Sequence, residues 1–148
     1  MDKQLVDAFL AEPAIAIVGV SRKKKKFGNV ALRTLSAQGL RVYPIHPFMD
    51  SVEGIRCYRR FQDLPEPVKA ALVVVPPSQG AQVVRDAADA GVTKVWLQQG
   101  AESAAVLRAC KDAGVNPIFG ECVLMFSHPA GVHKLHHWVR RVFHRLPA

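Results

Sequence analysis

The residues able to do chemistry in this 148-residue chain gather in four short places. The first runs Gly19-Val20-Ser21-Arg22-Lys23-Lys24-Lys25-Lys26-Phe27-Gly28-Asn29: a glycine, a hydroxyl and five consecutive cations ahead of a second glycine. A glycine at a strand end lets the chain turn tightly. A helix opening near Gly28 aims its N–H groups and positive dipole end at the same loop, which suits a phosphate. Ser21 stands where the second glycine of a G-x-G-x-x-G fingerprint would be, and its hydroxyl can donate to a phosphate oxygen. The plainer alternative is an ordinary strand-to-helix turn with a solvated charge run.

The second place is His46-Pro47. An NAD site carries Asp or Glu here, hydrogen-bonded to the ribose 2′-hydroxyl. No acid occurs before Asp50, which weakens an NAD assignment and permits a ribose that bears a phosphate. The third is Val75-Pro76-Pro77, a rigid apolar wall for a flat base or thin organic arm, or simply a helix start. The fourth is Gln98-Gln99-Gly100, whose amides could meet an adenine or another amide, or merely finish a strand in polar residues.

Other residues invite a site and are read otherwise. Cys122 follows Glu121 and offers a thiol, but a buried structural cysteine is the commoner state. His133, His136 and His137 fall at i, i+3 and i+4 of a predicted helix, among cations and with no acid after Glu121, so a basic helix is preferred over a metal site. Neither a Walker motif nor a G-x-S-x-G elbow is present. No catalytic residue and no metal ligand is assigned.

These four places form one site only if the elements around them bring them to one edge. Residues 2–11 read as an amphipathic helix and 14–19 as a buried strand. A helix over 28–39 leads to a strand over 40–45, with Pro44 near its end. A weak third strand is expected at 55–58, then a connection over 59–68. Residues 70–75 are the clearest strand, stopped by Pro76 and Pro77, with Ser78 expected to cap a helix running through Ala90. A strand at 94–97, a helix at 101–113, a short strand at 116–119 and an amphipathic C-terminal helix at about 131–146 complete the chain. Apolar strands separated by helices predict one α/β domain over 1–148: a doubly wound, mainly parallel, Rossmann-like sheet of about five strands with helices on both faces. In such sheets the ligand sits at the carboxyl ends of the strands, where all four places fall.

Composition bounds the rest. Apolar residues are 49% and charged residues 22%, a globular balance that excludes wholesale disorder. No apolar run approaches the roughly 20 residues of a membrane-spanning helix. The three cysteines, Cys57, Cys110 and Cys122, are odd in number and lack a CxxC, which suits reduced thiols in a cytoplasm. Charge is uneven: −2 over residues 1–12, +7 over 13–49, −1 over 50–121 and +4 over 122–148. Two basic ends call for an anionic partner. A nucleic acid and NAD(P) are the alternatives to a phosphorylated cofactor; the interleaved aromatics usual in nucleic-acid binders are missing.

IVGVSRKKKKFGN, VYPIHP, ALVVVPP, GVTKVWLQQGAE and the later Cys122 together resemble the small CoA-binding protein family. Its members are stand-alone Rossmann-like domains similar to the nucleotide-binding domain of the succinyl-CoA synthetase alpha subunit. The resemblance covers roughly residues 8–125. It implies coenzyme A, or an acyl-CoA, bound across the strand ends in a binding or sensing module. It places the pyrophosphate at Gly19, Val20 and Ser21, with Arg22, Lys26, Phe27 and Gly28 around it. It lays Val75, Pro76 and Pro77 along the adenosine or pantetheine, and Gln98, Gln99 and Gly100 on the other side. Where the family commonly has Asn-Pro, this chain has His46 and Pro47.

Overall fold

The structure is a computed structural model that describes residues 2–126. Asp2 caps the first helix, α1 (Lys3–Leu10), by accepting the Gln4 N–H at 2.8 Å. Strand β1 (Ala14–Val18) leads through a loop into α2 (Phe27–Ala37) and on to β2 (Arg41–Ile45). A small hairpin, β3 (Ser51–Val52) and β4 (Ile55–Arg56), and a single 3-10 turn at Phe61–Asp63 carry the chain to β5 (Ala70–Val73). Then come α3 (Pro77–Asp89), β6 (Lys94–Leu97), α4 (Ala104–Asp112), β7 (Asn116–Ile118) and a 3-10 turn at Val123–Met125.

Five strands form one parallel sheet in the order β2-β1-β5-β6-β7. The two-residue period of the strands sorts the core into two layers. Ala14 and Ala16 of β1 face Val84 and Ala87 of α3 and Val106 and Ala109 of α4. Ile15 and Ile17 face Val6 and Phe9 of α1 and Ala31, Leu32 and Leu35 of α2. Trp96 is wholly buried in the second layer, edge-on to Phe9, with its indole N–H donated to the Glu121 carbonyl at 3.0 Å. The predicted doubly wound sheet is therefore the observed one.

Three local expectations need correction. Residues 55–58 do not make a third sheet strand. Ile55 pairs back on Val52 in the hairpin, and Tyr58 alone makes a parallel bridge to Ile45. The turn at Glu53-Gly54, both at positive φ, closes that hairpin, so the segment meets the sheet edge at Tyr58 and not as a full strand. Ser78 does not cap α3: Pro76 holds the cap position and Pro77 opens the helix, since proline's fixed φ and missing N–H suit the first turn. Strands β5 and β7 end two and one residues before the predicted ends. The expected helix at 131–146 lies outside the described residues. Among those described, no helix is long and apolar enough to cross a membrane.

The sheet order sets where a ligand can sit. From β1 the chain goes to β2 on one side, then returns across to β5 on the other. The connections leaving β1 and β5 thus part over neighbouring strand ends and open a crevice there.

Candidate functional site

The crevice is built on a contact between two glycines. Gly19 ends β1 at φ +127°, and a Cβ there would stand 2.8 Å from the Val74 backbone. Gly28, in the first turn of α2, lies so close that a Cβ would stand 2.7 Å from the Gly19 carbonyl carbon. Only glycines let the helix start press directly on the strand end. Asn29, fully buried, then locks the loop: its Oδ1 accepts the Ser21 N–H at 2.8 Å, and its Nδ2 donates to the Ser21 carbonyl at 2.7 Å. The Ser21 hydroxyl accepts the Lys23 N–H at 3.0 Å, so it shapes the turn as well as facing the crevice.

No side chain caps α2 at Lys26 or α3 at Pro76. Of the first-turn N–H groups, those of Asn29 and Gln79 bond to the Lys26 (3.1 Å) and Pro76 (2.9 Å) carbonyls and Pro77 has none, so the earlier N–H groups of α2 are the main donors facing the carboxyl edge. Further out, Arg33 spans from the Lys24 carbonyl (3.1 Å) to the Glu53 carboxylate (2.6 Å), tying the lysine loop to the hairpin.

A cleft of about 1010 Å³ occupies this edge. Its floor is Val18, Gly19, Val20 and Ser21, with Lys26 at the loop side. Ile45, His46 and Pro47 close it at β2, and Val74, Val75 and Pro76 at β5. Gln98, Gln99, Gly100 and Ala101 close it at β6. Gln79, Val83 and Asp86 form a wall from α3, facing Arg59, Arg60, Phe61 and Gln62.

Eleven residues singled out from sequence thus share one cleft: Gly19, Val20, Ser21, Lys26, His46, Pro47, Val75, Pro76, Gln98, Gln99 and Gly100. Arg22, Phe27, Gly28 and Pro77 do not line it. Gly28 is spent on packing against Gly19, and Pro77 on starting α3. Arg22 is exposed yet acts on His46 through its charge.

The two glutamines line the cleft and already carry hydrogen bonds within the protein. Gln98 accepts the Val123 N–H at 3.1 Å, and Gln99 donates to the Gly120 carbonyl at 3.3 Å. Both amides brace the 120–123 segment; alternation along β6 puts Gln98 on the face of Trp96, whose indole N–H also bonds there, to the Glu121 carbonyl. Cys122 is half-buried outside the cleft lining. Cys57 and Cys110 are buried, and burial raises both thiols, Cys110 to about 11. Among the described residues no cluster is placed to hold a metal, and the histidines at 133, 136 and 137 lie outside them.

His46 is half-buried, with Nδ1 accepting the N–H groups of Phe48 and Met49, each at 3.0 Å. Burial, then the charges of Arg59 and Arg22, lower its pKa, so it is neutral at pH 7 with the proton on Nε2. Arg59 is fixed by the Pro47 carbonyl (2.6 Å) and Asp50 (2.9 Å). Sequence reasoning missed Arg59 and Arg60: they follow the weak segment at 55–58, whose end was not searched for a site, and they reach the edge through the hairpin. It quoted Asn29 without a role. Its signal was there, a polar residue on the apolar face of α2.

A doubly wound sheet with a glycine-floored cleft at its switch point is the arrangement in which domains of this class take phosphorylated, nucleotide-like ligands. Comparison makes this narrower: the chain matches the CoA binding domain over residues 13–128 and belongs to that family. It is 30% identical, over 63% of its length, to the alpha subunit of ADP-forming acetate–CoA ligase II from Pyrococcus furiosus, covering 21% of that protein. A conserved hypothetical protein from Pyrococcus furiosus has a similar structure, with 41% identity and a TM-score of 0.72, covering 77% of this chain and 98% of its own. An acetyl-coenzyme A synthetase of Ca. Korarchaeum cryptofilum matches at 29% identity and a TM-score of 0.65, over 76% of this chain and 27% of its own. The chain spans about a fifth or less of the curated relatives it matches.

Proposed function

We propose that this chain binds coenzyme A, free or acylated, at the carboxyl edge of the sheet, as a cytoplasmic binding or sensing module without chemistry of its own. The observation that carries the reading is the Gly19–Gly28 contact locked by Asn29, under a cleft of about 1010 Å³. The pyrophosphate lies over Gly19, Val20 and Ser21, at the uncapped start of α2, with Lys26 and Arg22 beside it. The adenosine turns toward His46 and Pro47. The pantetheine runs past Val75 and Pro76 toward Gly100, with the remaining contacts to Gln98 and Gln99 made beside their bonds to the 120–123 segment.

The reading without chemistry is supported by the hydrogen bonds of the cleft's two candidate reactive side chains. Ser21 and His46 are the cleft's hydroxyl and imidazole, and each is held by backbone N–H groups of its own turn. Neither orients the other as a nucleophile and base would.

The test is a set of melting curves of the pure chain with coenzyme A, acetyl-CoA, NAD, NADP and a single-stranded oligonucleotide. At one hundred times its dissociation constant a ligand adds about 2.7 kcal/mol. A shift with coenzyme A or acetyl-CoA and none with NAD or oligonucleotide is the expected result. A shift with oligonucleotide alone would establish the nucleic-acid reading instead.

A further inference from the structure

We infer that the lysine turn and Phe48 together form a docking surface for an anionic lipid bilayer, with Lys23, Lys24 and Lys25 at the headgroup phosphates and the Phe48 ring at the edge of the acyl region. The inference goes beyond the ligand of the cleft and does not rest on it.

The lysines begin the argument, because the cleft uses few of them. Residues 22–26 are all exposed, and of these five cations Lys26 alone lines the cleft. Among the described residues no carboxylate pairs with any of the five. Both acids of the neighbouring 48–56 segment are already taken, Asp50 by Arg59 (2.9 Å) and Glu53 by Arg33 (2.6 Å). Adjacent like charges repel, and an anionic surface relieves that repulsion.

The turn presents these side chains together with an aromatic ring. Its backbone bonds are local: the Lys23 N–H donates to the Ser21 hydroxyl (3.0 Å) and the Lys26 N–H to the Lys23 carbonyl (3.1 Å). Arg33 donates to the Lys24 carbonyl (3.1 Å) and to Glu53, which joins the turn to the β3–β4 hairpin. Phe48 stands just ahead of that hairpin and, at 79% exposure, is the most exposed large apolar side chain among the described residues. Its N–H donates to His46 Nδ1 at 3.0 Å, and its ring stands 6.2 Å from the imidazole. The charge of Arg22 is felt at the same imidazole, so the ring and the cations share one rim of the domain.

A bilayer is the anionic partner that uses both features. Lysine is a compact, strongly hydrated charge, suited to headgroups that stay wet and depleted from protein interfaces. A lone phenyl ring offers no series of platforms on which successive bases could stack. Several cations beside an apolar ring are the composition of surfaces that lie in the membrane interface. Because Lys26 belongs to the turn and also lines the cleft, docking brings the cleft to the bilayer surface.

The experiment is co-sedimentation of the intact chain with vesicles of phosphatidylcholine alone and of phosphatidylcholine with one third phosphatidylserine. It is run on the parent, on a triple variant Lys23→Gln, Lys24→Gln, Lys25→Gln, and on Phe48→Ser, each checked for folding by its melting curve. The parent should bind the anionic vesicles at least about tenfold more tightly than the neutral ones, and less tightly as salt is added. The triple variant should lose at least about tenfold of that binding, since a lysine near an anionic surface is worth roughly fivefold. Phe48→Ser should lose at least about threefold. A parent that ignores anionic vesicles overturns the inference, as does binding that survives in both variants, which would place the contact on other cations. A loss in the triple variant with Phe48→Ser bound like the parent overturns the lipid occupant in favour of a general anion site. Lysine-dependent binding of a single-stranded oligonucleotide without vesicle binding overturns it in favour of nucleic acid. Should a variant fail to fold, the parent's amide resonances of residues 23–25 and 48 decide: they should move with a short-chain phosphatidylserine and not with the matching phosphatidylcholine, and unmoved resonances overturn the inference.

Discussion

Asn29 offers the sharpest test of how the phosphate turn is built. Its side chain makes two bonds to one peptide unit, accepting the Ser21 N–H at 2.8 Å and donating to the Ser21 carbonyl at 2.7 Å, from a fully buried position. Asn29→Leu keeps the branching and number of side-chain heavy atoms, adds some bulk, and removes both bonds. Each bond contributes about 1 kcal/mol, and each buried group left unpaired costs about 1–3 kcal/mol, less where the loosened turn lets in water. A net loss of about 2–4 kcal/mol is expected, which for a chain of this size lowers the melting temperature by roughly 5–15 °C. Coenzyme A affinity should fall at least about tenfold, since the turn meant to meet the pyrophosphate is no longer pinned. Asn29→Asp adds a signed control. At neutral pH the introduced carboxylate still accepts the Ser21 N–H but sets an oxygen against the Ser21 carbonyl. Burial raises its pKa, and the protonated form regains a donor. A group with a raised folded pKa stabilises below its unfolded value and loses that as pH rises through the folded value. The deficit of Asn29→Asp against the parent should therefore shrink as pH falls toward 4. Thermal denaturation across pH and titration calorimetry measure both. If Asn29→Leu melts within about 2 °C of the parent and binds as well, the turn is not held by this side chain and the reasoning fails.

The other predictions concern the same edge and one distant ion pair. Ser21→Asp should fold normally, because a carboxylate can still accept the Lys23 N–H. It should bind coenzyme A at least tenfold more weakly, since like charges about 4 Å apart repel by on the order of 4 kcal/mol before the lysines offset part of it. Gly28→Ala should destabilise by about 1–3 kcal/mol, and weaken coenzyme A binding, because its Cβ would overlap the Gly19 carbonyl, standing 2.7 Å from the carbon and closer to the oxygen; a parent-like melting curve would contradict the close contact. Coenzyme A affinity should fall steadily with added salt, as exposed cations at 22–26 are screened over about 8 Å at physiological ionic strength; an affinity indifferent to salt leaves the lysines as a solvated loop. Glu66 accepts two N–H bonds from Arg41 (2.8 and 2.9 Å) and the Tyr43 hydroxyl, which hold its pKa at about 2. The stabilisation from a lowered carboxyl is present at neutral pH and lost as pH falls through about 2, so Glu66→Gln should flatten the acid limb of the melting profile.

The order of apolar runs and helical stretches was enough to establish the doubly wound sheet. Ala14–Val18, Ala70–Val73 and Lys94–Leu97 are short apolar segments that only a sheet covered on both sides can bury, and the intervening helices dictate parallel pairing. The same logic located the cleft, because strand ends in a parallel sheet share one edge wherever they lie in the chain. Identity at those ends was legible as well: Gly19, Ser21, His46, Val75 and Gln98 can be named by counting from each strand. What each side chain does there was not legible. Gln98 and Gln99 turn to the 120–123 segment, Gly28 serves packing against Gly19, and Ser78 yields the start of α3 to two prolines. Arg59 reaches the cleft through a hairpin that periodicity had read as a strand, and Asn29 bonds to a peptide eight residues earlier. Periodicity reports which face a residue is on, a local property of one element. Hydrogen-bond partners and charge neighbours depend on how separate elements meet, and that is settled only when the whole chain has packed.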